Sequence, residues 1–101
     1  MAVEHLVFMN RKSDSSLEES ERLLRSAKRD FRALPGVLDV RIAVADAASG
    51  APRRSYGFLM RFTDSASLAA YLQHPVHVAI GNQLQRHFTD FAVHDLTELA
   101  E

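Results

Sequence analysis

The stretch Tyr71-Leu72-Gln73-His74-Pro75-Val76-His77 constrains this chain more than any other. Pro75 has no N–H to give and pushes the residue before it out of the helical region, so no helix runs through it. Proline also suits the first turn of a new helix. The stretch therefore predicts one helix stopping near Leu72, a corner at His74-Pro75, and a second helix starting at Val76. The corner sets the direction of a phenol and two imidazoles. Imidazole gives and takes protons near neutral pH, and a phenol can hold an oxygen that gains charge. The plainer reading of the same residues is a helix–helix corner whose histidines cap backbone groups.

The sequence before the corner alternates strands and helices. Val3 to Met9 reads as a strand, with His5, Val7 and Met9 on one face and Leu6 and Phe8 on the other. Both faces are largely apolar, so both require cover. One small layer of helices covers one of them, and a second copy of the chain is the expected cover for the other. Ser15 with Glu18, or Ser16 with Glu19, forms a capping box ahead of a helix reaching about Leu34. Leu24, Ala27, Phe31 and Leu34 recur at helical spacing, and Leu17 and Leu23 widen the stripe. Acids lie early in this helix and Arg25, Lys28, Arg29 and Arg32 lie late, as the helix dipole favours. That arrangement accounts for the bases without a phosphate ligand.

Pro35-Gly36 ends the helix. Val37 to Val44 and Ser55 to Phe62 read as two strands of a hairpin with a long loop, Ala45 to Arg54, between them. Leu38, Val40, Ile42 and Val44 are expected on one face of the first, and Tyr56, Phe58, Met60 and Phe62 on one face of the second. Asp64 or Ser65 caps the helix that leads to the corner. The helix after it runs from Val76 to His87. Phe88 to Thr97 is the last strand, with Phe91, Val93 and Asp95 on one face and Ala92, His94 and Leu96 on the other. The order β-α-β-β-α-β predicts an α+β, ferredoxin-like fold with a four-stranded antiparallel sheet and helices on one face.

The totals set outer limits. A chain of 101 residues supports one domain, residues 1–101, around one core. With 47% hydrophobic and 25% charged residues and a net charge of -1, nothing draws it toward nucleic acid or a membrane. There is no cysteine, which removes disulfide and thiolate chemistry. Met1-Ala2-Val3-Glu4-His5 has neither a basic n-region nor an apolar h-region, so a cytoplasmic protein is expected. No metal site is expected: His74 and His77 stand three apart across a proline, unlike a helical zinc pair at four.

Several pieces together resemble the stress-responsive dimeric α/β-barrel (Dabb) domain family. They are Val3-Glu4-His5-Leu6-Val7, Leu34-Pro35-Gly36-Val37, Phe62-Thr63-Asp64, the Tyr71 to His77 corner, and Asp95 in the last strand. The resemblance covers nearly the whole chain, and its most specific part is Tyr-x-x-His-Pro-x-His. It implies a homodimer in which two sheets pack face to face as a barrel. It also implies a pocket between sheet and helices, lined by His5, Val7, Met9, Leu23, Leu24, Ala27, Phe58, His74 and Phe88.

By resemblance to a plant polyketide cyclase of this family, His77 would be the acid/base and Tyr71 would hold a substrate carbonyl. Asp95 would orient the His77 ring. Such an aldol closure needs a base for a carbon-bound proton and a donor for the enolate oxygen, and no cofactor. Where that cyclase has aromatics, this chain has Leu23, Leu24, Ala27 and Phe88, which implies a cavity of different shape. Three functions stay open: a cofactor-free acid/base cyclase or isomerase acting on a small apolar or ketone-bearing molecule; a non-catalytic ligand-binding or stress protein; and a cofactor-free oxygenase or metal site built on His5, His74 and His77.

Overall fold

The computed structural model describes residues 1–50 and 54–101. Pro52 and Arg53, at the tip of the expected long loop, lie outside the described residues. The strands are β1 (Val3–Arg11), β2 (Val37–Val44), β3 (Ser55–Phe62) and β4 (Phe88–Leu96), and the helices are α1 (Leu17–Arg32), α2 (Ser65–Gln73) and α3 (Pro75–His87). A short 3-10 turn, Ala47–Ser49, follows β2. The strands form one antiparallel sheet in the order β2-β3-β1-β4, the ferredoxin-like arrangement expected. No described helix is long and apolar enough to cross a membrane.

Local chemistry explains the helix ends. The Ser16 hydroxyl accepts from the Glu19 N–H at 3.2 Å, satisfying one of the free donors of the first turn of α1. Ser20, Leu24, Ala27 and Phe31 are the buried stripe of α1. Asp64 does for α2 what Ser16 does for α1, accepting from the Ser67 N–H at 2.8 Å. At the end of α1 the chain turns through Gly36, whose φ of 80° suits a residue without a Cβ. Gly36 also approaches α2 closely, since a Cβ there would stand 2.4 Å from the Ser67 Cβ. The Thr63 N–H and hydroxyl donate to the Gly36 carbonyl at 2.9 and 3.0 Å. The Pro35-Gly36 and Thr63-Asp64 pieces, distant in sequence, therefore form one joint.

The core fills the space between the helices and one face of the sheet. Val3, His5 and Met9 of β1, Tyr56, Phe58, Met60 and Phe62 of β3, and Val40 of β2 are buried against α1, Tyr71 of α2, and Ile80 and Leu84 of α3. Leu38 departs from the expected face. The register shifts between Val37 and Asp39, so Val37 pairs with Phe62 and Val40 with Met60, and both face the core. The bulge places the extra residue outward, and Leu38 is 56% exposed beside Glu4, Asp39, Arg41, Leu59 and Arg61. A second shift, between Phe8 and Asn10 in the β1–β4 pairing, accompanies Asp90 at φ 57°. Past it the parity of β4 is as expected: His5 faces Asp95 and Val7 faces Val93.

The opposite face carries no helix. Leu6, Phe8, Leu59, Ala92, His94 and Leu96 lie on it, with the Glu4–Arg61 pair at 2.8 Å toward one end. The Phe8 and His94 rings meet there with centroids 6.1 Å apart.

Candidate active site

The His-Pro corner positions the site. His74 ends α2 and begins α3, with φ -67° and ψ 136°, the extended backbone that a following proline imposes. Its ring Nδ1 accepts from the Val76 N–H at 3.1 Å, so His74 serves as the N-cap of α3. Pro75 takes the next position, where the missing N–H costs nothing. His77 is thereby fixed in the first turn of α3, and its Nδ1 donates to the Leu72 carbonyl at 3.0 Å. A carbonyl oxygen can only accept, so the hydrogen bond places the proton on Nδ1 and leaves Nε2 of the neutral ring with a lone pair.

His77 lies against Tyr71, ring centroids 4.5 Å apart at 50°. Tyr71 is 4% exposed and also meets the rings of Phe62 at 4.9 Å, Phe31 at 5.4 Å and His5 at 5.9 Å. Among the described residues its hydroxyl reaches only the Met60 sulfur, at 3.7 Å, a weak acceptor that a better one can displace. Burial pushes the Tyr71 hydroxyl well above its ordinary pKa, so it remains a proton donor at all working pH. Burial pushes His77 below its ordinary value; the bond to Leu72 opposes this and nearby His5 adds to it. The positive end of the α3 dipole acts in the same direction as burial.

These groups border a cavity of about 260 Å³ between the α2–α3 corner and the β1–β4 side of the sheet. The expected residues on it are His5, Val7, Phe58, Tyr71 and His77. The structure adds Phe31 from α1, Met60 from β3, Leu72, then Gly81, Leu84 and Gln85 from α3, and Phe91 and Val93 from β4. Gly81, Leu84 and Gln85 follow His77 by four, seven and eight residues, a helical face readable once His77 is taken as the origin. Phe91 and Val93 share strand parity with Asp95.

Other expected lining residues are elsewhere. Leu24, Ala27, Met9 and Phe88 are buried in the core and do not reach this cavity, and Leu23 packs beside that core. Phe88 instead meets Tyr56 edge-on at 5.7 Å. The stripe on α1 points at the middle of the sheet, and only its last member, Phe31, reaches the cavity. His74 is spent on capping and does not line it.

The expected partnership of Asp95 with His77 is replaced by another. Asp95 Oδ1 lies 2.5 Å from Nδ1 of His5, its direct neighbour across the β1–β4 pairing. His77 has the Leu72 carbonyl in place of a carboxylate. Among the described residues no group of three or more His, Cys, Asp or Glu is placed to hold a metal ion.

Comparison with known proteins accords with this geometry. Residues 3–98 match the profile of Dabb, the stress responsive A/B barrel domain. A Dabb family protein with a ferredoxin-like fold from Mesorhizobium loti shares 28% identity over 98% of each chain, with a TM-score of 0.81. SnoaB, a cofactor-independent oxygenase from Streptomyces nogalater, superposes with a TM-score of 0.83 at 15% identity, covering 99% of this chain and 95% of its own. The hydroxynitrile lyase of Passiflora edulis gives 0.81 at 14% identity, covering 99% and 97%. At such identities these last two establish the fold alone. The search of curated proteins gives no match.

Proposed function

This chain belongs to the stress responsive A/B barrel domain family, and we propose that it is a cofactor-free acid/base enzyme acting on a small, partly apolar, ketone-bearing molecule. The observation that carries the reading is His77. Its Nδ1–H is held by the Leu72 carbonyl, its Nε2 is a free base, and its ring lies on Tyr71 at an apolar cavity. His77 takes a proton from the carbon next to a carbonyl, and the Tyr71 hydroxyl donates to the enolate oxygen that forms. The enolate then attacks a second carbonyl in an aldol-type ring closure. Solved structures of the same fold include a hydroxynitrile lyase and a cofactor-independent oxygenase, so the fold is one that carries enzymes.

Heptane-2,6-dione in deuterated buffer tests this. Wild type should speed deuterium uptake at the α carbons, and His77→Ala should lose about 100- to 10,000-fold of that rate. A wild type that exchanges no faster than buffer, while still binding the ketone, would favour the second reading, a ligand-binding stress protein. The small apolar cavity is the observation that favours that alternative.

We also propose a cytoplasmic homodimer. Leu6, Phe8, Leu59 and Leu96 on the helix-free face form an apolar surface on β1, β3 and β4 that a second copy covers. Light scattering at micromolar concentration giving a monomer mass would refute the dimer.

A further inference from the structure

We propose that His5, held by Asp95, is the second proton carrier of the cavity: it delivers a proton to the acceptor carbonyl oxygen while His77 takes the carbon-bound one. This rests on the acid/base reading above and divides its work between two rings.

His5 is one of two buried polar residues among the described residues, only 2% exposed. Its Nδ1 is engaged by Asp95 at 2.5 Å. Its ring is fixed edge-on against Phe62 and Tyr71, both at 5.9 Å. Its other nitrogen, Nε2, makes no hydrogen bond, yet it is not among the sealed-off polar atoms of the described residues. The surface it keeps is therefore on the cavity that His5 lines. A ligand oxygen in the cavity would give that nitrogen a hydrogen-bond partner.

The environments of the two rings divide the roles. The Asp95 carboxylate offsets the positive charge that the His5 ring carries when both nitrogens hold protons. His77 has only a carbonyl oxygen behind it and sits at the positive end of α3. The Asp95 side chain is 41% exposed and that of His5 3%, so the pair leads from solvent into the cavity.

The step balances. The carbon-bound proton passes to His77 Nε2 as the enolate forms under the Tyr71 hydroxyl. The enolate carbon attacks the second carbonyl, one carbon–carbon bond forms, and the carbonyl oxygen takes the Nε2 proton of His5. His77 then releases its proton to solvent, and His5 regains one. No oxidant or other co-reactant enters.

The test follows two signals on heptane-2,6-dione: deuterium uptake at the α carbons, and ring closure to 3-hydroxy-3-methylcyclohexanone. His5→Gln should lose ring closure by about 100-fold or more, well beyond whatever it loses in uptake. Asp95→Asn, which leaves the His5 ring in place, should lower ring closure selectively as well. His77→Ala should lose both. Equal loss of both signals in Asp95→Asn would overturn the proposal and make the pair structural. Unchanged ring closure in folded His5→Gln would also overturn it. A wild type that exchanges but never closes the ring overturns this inference while leaving His77 as base. A wild type that does neither removes both readings.

Discussion

Gly81 separates the cavity from the fold. It lies inside α3, and a Cβ built there meets nothing within 4 Å. Glycine in a helix interior costs roughly 0.5–1 kcal/mol relative to alanine, because the unfolded chain has more freedom to lose. Gly81→Ala should therefore stabilise the protein by about that amount. For a chain of this size it should raise Tm by about 2–8 °C. Gly81→Leu keeps the gain in helix propensity but adds four carbons toward the cavity that Gly81 borders. At about 30 Å³ each, a water's share of volume, these would occupy about 120 Å³, near half of the 260 Å³ present. The leucine variant should keep its fold and lose ketone exchange. Thermal unfolding and deuterium uptake measured on both variants decide the matter. A lower Tm for the alanine variant would show that the site has no room, and full activity of the leucine variant would show that the chemistry lies elsewhere.

Gly36→Ala should be severely destabilising: left-handed backbone costs about 1–2 kcal/mol, and the clash with Ser67 about 1–3 kcal/mol more. Adding Ser67→Gly should restore the clash portion only, as read from urea midpoints. Asp64 is held below its ordinary value of 3.8 by the bonds from Ser67, so its contribution is present above that value and is lost as pH falls through the lower folded value. Asp64→Ala should accordingly cost stability at pH 7 and progressively less as pH falls through the lower folded value. His77, held below 6.5 chiefly by burial, should stay a base through neutral pH, and α-carbon exchange should fall only at a midpoint below 6.5. Over that same window the unfolded chain binds the proton first, so stability declines on acidification, and His77→Gln should flatten that decline.

The sequence made the fold legible where local chemistry decides it. Ser16, Asp64 and the His74-Pro75 corner begin or end helices by satisfying particular N–H groups, and those partners are near in sequence. Leu38 was not legible, because alternation holds only while a strand keeps its register, and a bulge shifts parity by one residue without a marker. The same limit explains the lining residues on α1. Helical spacing shows that Leu24, Ala27 and Phe31 face the sheet, but it does not say which part of the sheet lies beneath each turn.

Asp95 shows how a site can be half legible. Its place on an apolar strand face implies that a carboxylate there needs a partner, and an imidazole is its partner. The choice between His77 and His5 depends on register. With β1 and β4 antiparallel neighbours, as the ferredoxin-like order requires, the residue across from Asp95 lies in β1, and a cross-strand pair stands about 4.5–5.5 Å apart at Cβ. Of Val3, His5, Val7 and Met9 on the helix-facing side of β1 only His5 is titratable, and the observed register sets it directly opposite. His77 must instead reach from a helix above the sheet, and its Nδ1 is already engaged by the carbonyl at the end of the preceding helix. A carboxylate in a strand thus finds its imidazole in the neighbouring strand, because pairing brings the two together before any helix has to be aimed. The corner histidine is left with its second nitrogen free, which is the state a general base requires.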